Sequence, residues 1–82
     1  MKYSTLTKNE AKEIIRKIDF RKLAELSGKE GKVWIWKDGY VALHTQGTIP
    51  NPKDNEIVAV IDTLVIPQKK VRSWLFNYLT QC

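Results

Sequence analysis

Lys32-Val33-Trp34-Ile35-Trp36-Lys37-Asp38-Gly39-Tyr40-Val41-Ala42-Leu43-His44-Thr45 sets the architecture of this chain. Two runs rich in β-branched and aromatic residues flank Asp38-Gly39, a pattern that predicts a hairpin. Asp-Gly favours a two-residue type I′ loop, in which both central residues take positive φ. The expected register sets Lys37 opposite Tyr40, Trp36 opposite Val41, Ile35 opposite Ala42, Trp34 opposite Leu43 and Val33 opposite His44. Side chains alternate between faces along a strand. One face then carries Trp34, Trp36, Val41 and Leu43, and the other Val33, Ile35, Lys37, Tyr40, Ala42 and His44. The first is larger and wholly apolar. Each large side chain buried there contributes about 1.5–3 kcal/mol, so this face is expected to meet the helices. The second is too apolar for a solvated face. It is expected either to contact a partner or second copy through Val33, Ile35, Tyr40 and Ala42, or to be covered by another segment of the chain.

Upstream, Leu6-Thr7-Lys8-Asn9-Glu10 predicts a helix start, with Thr7 as N-cap, Glu10 closing a capping box and Leu6 and Ala11 spaced as a hydrophobic staple. Ala11, Ile14, Ile15 and Ile18 follow at helical spacing. The phase then breaks, and Asp19 is placed to cap a second helix over Phe20 to Leu26; one kinked helix is the alternative. Gly28 is expected to end it in the left-handed conformation. Downstream, His44 to Asn55 is turn-rich, with Thr48-Ile49 able to extend the second strand past Gly47. Pro50 and Pro52 exclude a central strand there. Glu56 to Ile66 predicts a third strand, interrupted or opened at Asp62-Thr63. Pro67 suits a first helical position, and Val71, Trp74, Leu75, Tyr78 and Leu79 form a helical stripe. The expected fold is one α+β domain over residues 1–82. A three-stranded antiparallel sheet has its N-terminal helix, broken or continuous, and its C-terminal helix packed on one face, in the order α-β-β-β-α.

Composition bounds the function. No apolar run approaches the roughly 18 residues of a membrane span, and the N-terminus lacks the apolar core of a signal peptide. The single cysteine, Cys82, precludes an internal disulfide, which fits a cytoplasmic location in a cell or a virus-infected cell. Lys and Arg number 14 against 9 acids, a net charge of +5 that attracts polyanions as well as aiding solubility.

Few residues carry chemistry. One histidine, one cysteine and scattered acids match no metal-ligand spacing, and the isolated glycines form no phosphate loop, so neither metal nor cofactor is expected. His44 is the sole candidate catalytic residue, as acid or base; a strand-end histidine bonded to its loop is the alternative. Two basic groups point to nucleic acid. Lys8, Lys12 and Arg16 recur along one face of the first helix with no evident acid partner, since Glu13 is spaced to pair with Lys17. Lys69, Lys70 and Arg72 lie near the start of the last helix, where Phe76 falls about 130° from the apolar stripe, on the side of Lys69 and Arg72. An aromatic among cations can stack a base or anchor a protein. Trp34, Trp36 and Trp74 are assigned to the core.

The element order resembles that of double-stranded-RNA-binding domains and of the small mRNA-interferase toxins built on that fold. The resemblance implies RNA contact and, for the toxins, a catalytic strand histidine. Pro67-Gln68-Lys69-Lys70 only faintly echoes the basic helix start of the former, and His44 follows Leu43 rather than the Gly-Ser of the latter. Three functions are therefore expected in order: a non-catalytic nucleic-acid-binding module, a protein-binding or homodimeric module using the helix-free sheet face, and an RNA-cleaving toxin acting through His44.

Overall fold

A computed structural model describes residues 5–44 and 56–81. The expected turns at Pro50 and Pro52, the extension at Thr48-Ile49, and Cys82 lie outside the described residues. Helices α1 (Lys8–Lys17) and α2 (Phe20–Ser27) precede strands β1 (Lys32–Trp36), β2 (Val41–His44) and β3 (Ile57–Asp62). A 3₁₀ turn (Thr63–Val65) and helix α3 (Val71–Thr80) follow. The three strands form one antiparallel sheet in the order β2-β1-β3, so β2 and β3 are its two edges.

The caps of the first two helices follow the local chemistry. Thr7 accepts from the Glu10 amide and the Glu10 carboxylate accepts from the Thr7 amide, the reciprocal pair expected. Ile18 takes an extended conformation that ends α1, and Asp19 caps α2 by accepting from the Arg21 and Lys22 amides. The first helix is therefore broken, not kinked.

Three glycine and turn expectations are corrected. Gly28 is right-handed (φ −79°), so no left-handed cap closes α2. Gly31 carries the positive φ instead, at 145°, where an added Cβ would stand 2.7 Å from the His44 carbonyl oxygen. Its own carbonyl accepts from the Thr63 amide and hydroxyl, tying the entry of β1 to the end of β3. The Asp38-Gly39 reversal is also not type I′. Of its two residues only Gly39 has positive φ (88°). The Gly39 amide bonds the Trp36 carbonyl and the Trp36 amide bonds the Tyr40 carbonyl, while Asp38 accepts from the Tyr40 amide. That is a three-residue loop, with Gly39 as the left-handed residue closing a bulge.

The extra loop residue moves the register by one. Val33 pairs with Leu43, Trp34 with Ala42 and Ile35 with Val41. A one-residue slip turns a strand over relative to its partner. The expected face assignment for β1 is thus reversed: Val33 and Ile35, both fully buried, join Val41 under the helices. Across the other edge of β1 they face Ile61 and Ala59, also in that core. Ala11, Ile14, Ile15 and Ile18 of α1, Leu23 of α2, and Leu75 and Leu79 of α3 close it from above. Trp34, Trp36, Tyr40, Ala42 and His44 lie on the opposite face. Trp34 is buried there outside the helix-side core, Trp36 is half-buried, and Trp74 packs against the core rim with its ring stacked on Tyr78 at 5.3 Å.

The third strand stops at Asp62, whose side chain accepts from the Leu64 amide and starts the 3₁₀ turn; Leu64 and Val65 beyond it are exposed. Pro67 lies outside α3, which begins at Val71 after Lys70, the one described non-glycine residue with positive φ (56°).

Candidate nucleic-acid interface

Packing of α1 against α3 decides which cations meet. Ile15 and Leu75 bury the inner faces of the two helices, leaving Lys12 and Arg16 on one outer flank and Arg72 and Phe76 on the other. Those four side chains, with Ser73 and Asn77, line one open groove of about 480 Å³. The two basic groups, separated by more than fifty residues of sequence, therefore share a concave surface. No carboxylate is among the described lining residues of that groove.

Arg72 also borders a second groove, of about 750 Å³, between α2 and the start of α3. Phe20, Lys70 and Ser73 line it too, again with no carboxylate among the described lining residues. The Arg72 guanidinium sits over the Phe20 ring, 4.4 Å from its centroid. Such a contact at an exposed site contributes roughly 0.5–1 kcal/mol, enough to bias the orientation of a long side chain. Arg72 is thus the ridge between two grooves, with Phe20 on one side and Phe76 on the other. Both rings are half-buried.

A third groove differs in charge. Lying between α1 and the start of β3, it is lined by Glu10, Glu13 and Glu56 against Lys17 and Lys37. The Glu10 carboxyl is held below its ordinary pKa, first by the Thr7 amide it accepts from, then by the Thr7 hydroxyl, with Lys37 adding a smaller pull. Carboxylates line that groove, whereas the described charged residues lining the two grooves beside Arg72 are cations.

The expectation that the basic row of α1 lacks an acid partner is corrected. Arg16 Nη2 donates to both carboxylate oxygens of Glu13. The side chains are 74% and 53% exposed, and an exposed pair of this kind is worth about 0–1 kcal/mol. A phosphate can displace Glu13 from Arg16 at little cost. Lys8 and Lys69 are exposed but line none of these grooves.

The other candidates are placed as follows. His44 ends β2 on the helix-free face with its ring stacked on Trp34. Of the four residues assigned to a protein contact, Val33 and Ile35 are enclosed beneath the helices; the slipped register put them there, and they offer no surface to a partner. Ala42 is half-buried, and Tyr40 is 54% exposed, its ring tilted 57° to that of Trp36 with centroids 5.3 Å apart and the Lys22 ammonium 4.5 Å from its own centroid. Among the described residues no group of three His, Cys, Asp or Glu could hold a metal ion, and no helix is long and apolar enough to cross a membrane.

Phe20 is the functional candidate that sequence reasoning missed. It belongs to the apolar positions of α2, but its contact with Arg72 spans fifty-two residues and leaves no local signal. A fuller helical projection of α3 would have found Ser73 and Asn77, which share one turn-spaced face with Arg72 and Phe76. No family model, no curated protein and no solved structure matches this chain.

Proposed function

We propose that this protein is a small, non-catalytic nucleic-acid-binding module whose contact surface is the face built by α1 and α3. The observation that carries this reading is the convergence of Lys12, Arg16, Arg72 and Phe76 on one groove, with Glu13, bonded to Arg16, outside its described lining residues. Lys70 extends the cationic surface beyond Arg72. Phosphate contacts of this kind carry no base code, so binding is weakly dependent on sequence. Three or four phosphate contacts release a matching number of counterions, and affinity then falls about 20- to 150-fold between about 50 and 200 mM salt. Fluorescence anisotropy with labelled oligonucleotides across that range tests the reading. A flat salt response, or no binding at the lowest salt, ends it. In the same assay Arg72→Ala weakens binding more than Lys8→Ala, because only the first residue borders the grooves.

A second reading is a protein or self-contact through the helix-free sheet face. The exposed Tyr40 beside Trp36 favours it, with Ala42 as neighbour and without Val33 or Ile35. Light scattering on a concentration series, with Tyr40→Ser as the comparison, tests it; a monomer of unchanged mass at every concentration removes the homodimer.

A further inference from the structure

We infer that the nucleic acid this surface takes is single-stranded, with a base stacked at Arg72 between Phe20 and Phe76. This deepens the proposed function and rests on it. Cations alone do not distinguish strands, since duplex and single strand both present phosphates. The aromatic rings do. In a duplex the base faces are occupied by neighbouring pairs, leaving phosphates and groove edges for a protein to read. Rings set between cations have no partner there, whereas an unpaired base offers its π-face to them.

The geometry assembles such a platform across the helical layer. Lys70 and Phe20 lie on one side of Arg72, and Phe76, Lys12 and Arg16 on the other. The Arg72 guanidinium lies over the Phe20 ring, 4.4 Å from its centroid, and a base laid on its outer side would add a second π-face to that cation. Ser73, which borders both grooves, supplies a hydroxyl beside that position. A single strand can cross the Arg72 ridge from one open groove to the other, whereas a duplex groove is read by a protruding helix or ribbon.

The probes are labelled oligothymidine and oligouridine of about 16 nucleotides, the upper end of single-module site sizes, and the duplex of the first with its complement. Affinities are measured at one low salt concentration. The expected result is tighter binding of either single strand than of the duplex. Phe76→Leu, which keeps the apolar bulk packed against the core but removes the π-face, is expected to lower single-strand affinity by roughly 5- to 150-fold, with duplex affinity unchanged. Circular dichroism of the variant confirms that it is folded; if it is not, Arg72→Lys, which keeps the charge and loses the planar stack, gives the same comparison from an exposed position. Equal or tighter duplex binding, or variants that weaken both forms alike, overturns the single-strand inference and leaves the general reading intact. Absence of binding to every probe overturns both.

Discussion

The His44 imidazole lies against the Trp34 indole, with ring centroids 3.6 Å apart and planes 19° from parallel. Trp34 pairs directly with Ala42, so His44 is its diagonal cross-strand neighbour, within reach of a large ring. The contact gives the one histidine a structural role at the end of β2. An aromatic stack of this kind is worth about 0.5–1.5 kcal/mol beyond its buried area. His44→Ala is expected to lose at least that much in urea denaturation, with nucleic-acid affinity unchanged. Full stability combined with loss of an RNA-cleaving activity would assign His44 to chemistry instead.

Ile35 and Tyr40 separate the two sheet faces. Ile35 is fully buried in the helix-side core, and Ile35→Ala is expected to cost about 2–5 kcal/mol. Tyr40 is 54% exposed, and Tyr40→Ala is expected to cost much less. Chemical denaturation of the two variants checks the order; an Ile35→Ala that costs no more than Tyr40→Ala would overturn the burial of Ile35 beneath the helices.

Gly28 and Gly39 should respond in opposite senses to the same substitution. At Gly28, φ is −79° and the nearest atom to an added Cβ is 3.5 Å away. Gly28→Ala is therefore expected to be neutral or to stabilise by up to about 1 kcal/mol, through the unfolded chain. At Gly39, φ is 88° and an added Cβ would come within 2.6 Å of Lys17 Cβ and 2.8 Å of its carbonyl carbon. Gly39→Ala is expected to destabilise by more than about 1 kcal/mol. Thermal melts of the two variants decide this directly.

Acid should weaken α1 through Glu10. Its carboxyl is held below the ordinary value chiefly by the Thr7 amide, so the ionised form is favoured by folding. The sign follows from linkage: this contribution is complete above the ordinary glutamate pKa and is lost as pH falls through the lowered folded value. Glu10→Gln keeps an oxygen for the capping box but has no charge to lose. The wild type is expected to melt higher than Glu10→Gln at neutral pH, with the gap closing below the carboxylate range. A gap that stays constant with pH would show that the charge contributes nothing.

Local chemistry was legible wherever a few adjacent residues decide the outcome. Thr7 with Glu10, and Asp19, set the starts of the first two helices, and the stripe of α3 correctly named Leu75 and Leu79. The sheet faces were not legible, because both sides of β1 are apolar and one residue of loop length separates two self-consistent registers. Asp38-Gly39 signals a turn, but the same dipeptide fits a two-residue loop with both φ positive and the longer loop found here, where only Gly39 has positive φ. The start of α3 was misplaced because Lys70 adopts a left-handed conformation that its residue type disfavours. At the candidate site, the residue types were visible and their meeting was not. Lys12 and Arg16 reach Arg72 only through the packing of α1 on α3, and Glu13 turns to Arg16 rather than Lys17.

The Leu6 amide donates to the Leu79 carbonyl at 3.0 Å, so the segment entering α1 and the last turn of α3 are stitched together. Arg72 lies in the first turn of α3, at the other end of that helix. Hydrogen exchange at the Leu6 amide should thus report how firmly this corner holds, independently of anything bound at the Arg72 ridge.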